Sequence, residues 1–72
     1  MIYLKRMNNK EFVLNVDLIE TIEETPDTVI TLTNGHKMIV IESANEVIQK
    51  IIEYKRNIYI ENIDKVKPNK LI

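Results

Sequence analysis

The sequence predicts a small α+β domain: an antiparallel β-meander of four to five strands, or a partial barrel, followed by one C-terminal α-helix. Three observations carry this. Short runs of alternating or β-branched residues are separated by strong turn signals. An Asn-Gly pair, the best short hairpin signal, sits between two such runs. A Ser-x-x-Glu capping box then opens a stretch whose apolar residues recur at helical spacing. The chain has 72 residues, enough for one domain. That domain is read as residues 1–57, with 58–72 as a C-terminal extension.

Ile2-Tyr3-Leu4-Lys5-Arg6-Met7 has strand periodicity, and Asn8-Asn9-Lys10 follows as a turn. Glu11-Phe12-Val13-Leu14-Asn15 is a second strand, close enough to the first to form a hairpin. After the short connection Val16-Asp17, residues Leu18–Glu24 allow an initial helical turn or a strand throughout. The β-branched Thr21 and Ile22, with Pro26 soon after, favour a strand. Pro26-Asp27 marks a turn, with the proline suited to its second position. Thr28-Val29-Ile30-Thr31-Leu32-Thr33 is the clearest strand. Asn34-Gly35 fits a type I′ turn, in which both residues take positive φ. His36–Ile41 returns as the next strand.

Ser43 caps the helix and Glu46 reaches back to it. Ala44, Val47, Ile48, Ile51 and Ile52 form one apolar stripe, and the helix is expected to end near Arg56 or Asn57. Ile58-Tyr59-Ile60 fits either more helix or an extended piece. Pro68 and its neighbours read as a frayed tail.

Composition narrows function by exclusion. A chain this short buries roughly 60% of its unfolded surface, which leaves a small core. There is no cysteine and one histidine, so neither a disulfide nor a structural zinc site can supplement that core. Self-association would. No basic region leading into an apolar run suggests a secretory signal, and no run is long enough to span a membrane. The expected compartment is the cytoplasm. Ten Lys and Arg stand against eleven Asp and Glu, so charge does not point to nucleic acid.

No motif for chemistry stands out. His36 follows the Asn-Gly turn without an identifiable partner. Glu20, Glu23, Glu24 and Asp27 lack the spacing of a calcium loop and read as a solvated edge that discourages strand pairing. Ser43 is explained by its cap. With one glycine there is no Gly-rich phosphate loop. Lys50, Lys55 and Arg56 beside Tyr54 and Tyr59 give a weak hint of RNA contact, countered by Glu53 and Glu61. No catalytic, metal-binding or cofactor-binding residue is assigned, and no cofactor is expected.

Several strands are apolar on both faces, whereas a one-sided antiparallel sheet alternates cleanly. Either the sheet curls into a partial barrel, or the helix covers one face and scattered exposed apolars make up the rest, or a second face is buried against another subunit or a partner. The candidate interaction surface is Tyr3, Val13, Val29, Ile39 and Ile41.

Read in order, Ile2-x-Leu4-x-Arg6-x-Asn8, Phe12-x-Leu14-Asn15, Leu18-Ile19-Glu20-x-Ile22-Glu23 and Pro26-Asp27-Thr28-x-Ile30-x-Leu32-x-x-Gly35 resemble the small FlbD/SwrD family of bacterial flagellar proteins. Ser43, Glu46, Val47 and Ile51-Ile52-x-Tyr54-Lys55-Arg56 continue the resemblance, which covers about residues 1–57. It departs at Asn9, where the family commonly has glycine; asparagine also tolerates positive φ. The resemblance implies a cytoplasmic protein, peripheral at the flagellar base, made alongside flagellar and chemotaxis components. It implies a non-enzymatic role in motor output and swarming through contact with motor or other flagellar proteins, without membrane insertion. It carries over no catalytic residues. The competing expectation is a small nucleic-acid-binding regulator of flagellar genes. A homo-oligomer is also expected, because burying one further Ile or Val contributes roughly 1.5–3 kcal/mol.

Overall fold

The computed structural model describes residues 1–66, with side chains through residue 58. Its architecture is α+β. The strands are β1 (Ile2–Lys5), β2 (Glu11–Leu14), β3 (Ile19–Glu24), β4 (Thr28–Leu32) and β5 (Lys37–Val40), followed by the helix α1 (Ala44–Val66). A two-stranded sheet pairs β1 with β2, and a three-stranded sheet has the order β3-β4-β5. All pairings are antiparallel. The sheets join where Arg6 bridges Val40 and the Ile41 N–H donates to the Lys5 carbonyl at 3.0 Å. The Glu42 carboxylate strengthens that seam, both oxygens accepting the Lys5 N–H at 3.1 Å.

The inner faces of both sheets and one line of the helix share a core of Ile2, Leu4, Leu14, Val16, Ile30, Leu32, Val40 and Val47. Strand alternation explains the set: β1 and β4 bury every second residue. Thr28 is buried with them. The helix contacts β1 and β3, members of different sheets, and so closes the core between them.

The two hairpin loops are the same object built twice. In the first, Asn9 N–H donates to the Arg6 carbonyl at 2.7 Å, Arg6 N–H to the Lys10 carbonyl at 2.9 Å, and Lys10 N–H to Asn8 Oδ1 at 3.0 Å. In the second, Gly35 N–H donates to Leu32 O at 2.9 Å, Leu32 N–H to His36 O at 2.8 Å, and His36 N–H to Asn34 Oδ1 at 3.0 Å. Each is a three-residue loop whose third residue is left-handed: Asn9 at φ 70°, Gly35 at φ 89°. This corrects the type I′ expectation. Only Gly35 has positive φ, and Asn34 instead uses its side chain to receive an amide.

The ambiguity at Leu18–Glu24 resolves in favour of both options in sequence. Val16–Leu18 is a 3₁₀ turn, capped by Asn15 Oδ1 accepting the Asp17 N–H at 3.0 Å. Val16 is therefore a buried core residue and not a mere connection. The strand then starts at Ile19. Its pairing with β4 shifts register between Ile19 and Thr21, leaving Glu20 as an extra residue. Ile19 and Ile22 are three apart and could not both face inward in a regular strand. With the bulge, Ile19 opposes Leu32, Ile22 opposes Ile30, and both pack on the core.

The helix runs past the expected end at Arg56 or Asn57, through Ile58-Tyr59-Ile60, to Val66. The residues expected to form a frayed tail around Pro68 lie outside the described part. At 23 residues α1 is about 34 Å long, while strands of four to six residues span roughly 13–20 Å. The molecule measures 48 × 23 × 19 Å, and its radius of gyration of 15.1 Å exceeds the roughly 11 Å of a compact chain this size.

Candidate interaction surface

The five residues expected to form a contact surface fall into two groups. Tyr3 and Val13 are cross-strand partners on the outer face of β1 and β2, 57% and 50% exposed. Val29 and Ile39 are cross-strand partners on β4 and β5, with Ile41 two residues further on. Ile39 and Ile41 are exposed and Val29 is half-buried. The two groups lie on different sheets. Lys5, beside Ile41 at the seam, stands between them. The strands have not curled into a closed barrel that uses these side chains internally: one bridge joins the sheets, and β2 and β3 are their outer strands.

The helix adds apolar surface that the sequence had placed in a single apolar stripe. Val47 is buried, and Ile51 and Tyr54 pack against the core. Ile48 and Ile52 lie to one side of that line, 42% and 41% exposed. The stripe is thus narrower and rotated, following Val47, Ile51 and Tyr54 at intervals of four and three. The broad apolar run from Val47 to Ile52 hid this, because periodicity cannot rank two adjacent isoleucine lines. Packing Tyr54 inward also removes one of the aromatic rings that an RNA-binding helix would offer. The cleft between β1 and α1, of about 260 Å³, is lined by Tyr3, Lys50, Glu53, Tyr54 and Asn57 together with Met1 and Ile2.

The helix N-terminus is occupied by the chain's own groups. Ser43 N–H donates to Glu46 Oε1 at 2.7 Å, and Glu46 N–H donates to Ser43 Oγ at 3.1 Å, which is the expected capping box. Ala44 N–H donates to Glu24 Oε1 at 2.9 Å. Two carboxylates therefore sit where a helix N-terminus would otherwise attract an anion. Glu24 is exposed like Glu20 and Glu23 on the same outer strand, but its carboxylate is tied to the helix N-terminus and does not stand free at the acidic edge to which the sequence had assigned it. Glu24, Asp27, Ser43 and Glu46 line a second cleft of about 270 Å³.

His36 is exposed at its hairpin tip. Among the described residues no group of three His, Cys, Asp or Glu is placed to hold a metal ion. Arg6 stacks its guanidinium 4.3 Å from the Phe12 ring centroid, covering the half-buried edge of the first hairpin. Among the described residues no helix is long and apolar enough to cross a membrane.

The family model for FlbD, described as flagellar and swarming motility proteins, matches residues 1–59. No curated protein and no solved structure matches the chain. The match covers both sheets and the part of α1 that packs on them, and the chain belongs to the FlbD family.

Proposed function

From this membership we propose that the chain is a non-enzymatic flagellar accessory protein that supports motor function and swarming by binding other proteins. The observation that carries the reading is the family match over residues 1–59. The kind of surface offered supports it. Tyr3–Val13 and Val29–Ile39 are apolar cross-strand pairs on outer sheet faces, Ile48 and Ile52 add to them on the helix, and such faces serve protein contact better than small-molecule chemistry. The site of action we propose is the cytoplasmic side of the flagellar base, with a motor or other flagellar protein as partner.

Deleting the gene in a flagellated host tests this. Swarming should fall while filaments still assemble at normal number, and the full chain supplied in trans should restore it. Normal swarming in the deletion strain would sink the reading. So would tight, salt-sensitive binding of the purified chain to flagellar operon DNA, since phosphate contacts weaken steeply with salt.

A further inference from the structure

We infer that the outer face of β4 and β5 receives the same face of a second copy of this chain, in an isologous dimer centred on Val29 and Ile39. The register places Glu23, Val29 and Ile39 side by side across β3, β4 and β5, and Thr21, Thr31 and Lys37 in the next row. An apolar centre is thus flanked by an exposed acid, Glu23 on β3, and an exposed base, Lys37 on β5.

That arrangement is self-complementary. Strands lie about 4.8 Å apart and same-face residues about 6.8 Å apart along a strand. A two-fold axis in the plane of contact, oblique across β4, sets Ile39 of one copy against Val29 of the other. The same operation sets Lys37 against Glu23, and twofold symmetry makes that pair twice. Opposite charges at the rim of an apolar contact fix its register.

The dimer leaves Tyr3 and Val13, on the other sheet, for a different partner.

The test is light scattering after size exclusion on the purified full chain across a micromolar concentration series. The expected mass is twice 8.5 kDa. Ile39→Glu should halve it, with an unchanged far-UV circular dichroism spectrum because the side chain is exposed. Glu23→Lys alone and Lys37→Glu alone should each weaken the dimer about tenfold, and the double exchange should restore it. A mass of one chain at every concentration overturns the inference. A dimer that survives Ile39→Glu, or charge exchanges that do not rescue each other, overturns it equally. Because mass is read on pure protein, the outcome is independent of the swarming phenotype, and either reading can fail alone.

Discussion

The Glu24 carboxylate accepts the Ala44 backbone N–H at 2.9 Å, so the last residue of β3 caps a helix that begins twenty positions later. Together with Ser43 and Glu46 it supplies partners for three backbone amides at the α1 N-terminus. Local capping holds the helix end together. The long-range hydrogen bond fixes where that end sits against the sheet.

Glu24→Ala should therefore cost about 0.5–1.5 kcal/mol, and Ser43→Ala about 1 kcal/mol. Glu24→Gln keeps an acceptor oxygen and should cost less than Glu24→Ala. Urea denaturation midpoints of the purified variants check the order. Equal losses for Gln and Ala would mean that charge matters and the hydrogen bond does not.

The two hairpins make opposite predictions at equivalent positions. Asn9→Gly relieves a left-handed non-glycine residue and should be neutral or stabilising by a few tenths of a kcal/mol. Gly35→Ala should cost about 1 kcal/mol. A Cβ at Gly35 meets nothing within 4 Å, so this cost is conformational and Gly35→Asn should recover part of it. Thermal melts of the three variants would show the pattern.

Core and outer face should separate cleanly. Ile30→Ala removes a fully buried side chain and should cost about 2–5 kcal/mol, enough to unfold much of a domain this small. Val13→Thr, on the outer face, should change stability by less than about 0.5 kcal/mol. Chemical denaturation of both would reveal an outer face that is structural if Val13→Thr proved as damaging as Ile30→Ala.

In cells, Tyr3→Glu with Val13→Lys should reduce swarming without lowering the protein's abundance or the number of filaments. Immunoblotting and swarm expansion in the same strain measure both. Full swarming with this double variant would remove the β1–β2 face from the proposed contact.

Much of the fold is legible in the residues because its signals are local. The capping box, the alternation of β1 and β4 and the two hairpins depend on near neighbours in sequence. Three features were not legible, each for a physical reason. Glu24 was read as a solvated edge because its partner, Ala44, is distant in sequence. Ile48 and Ile52 were read as one stripe with Val47 and Ile51 because adjacent apolar lines on one helix look alike until a sheet selects among them. The Asn34-Gly35 turn was read as two residues because dipeptide identity does not reveal where strand pairing stops. The paired surface residues were legible as apolar on both faces, but only the register joins Tyr3 to Val13 and Val29 to Ile39.

The extra residue at Glu20 reaches further than its one position. It acts as a phase shift in the chain, bringing two stretches that count inward and outward differently into step against β4. Deleting Glu20 would not shorten a loop. It would regularise the strand: Ile19 would stand two positions before Ile22, still opposite Leu32 and still facing inward, and the bulge would vanish. This exposed glutamate is therefore a residue the strand could lose without turning its inward neighbours over, and its replacement by another polar residue would pass almost unnoticed.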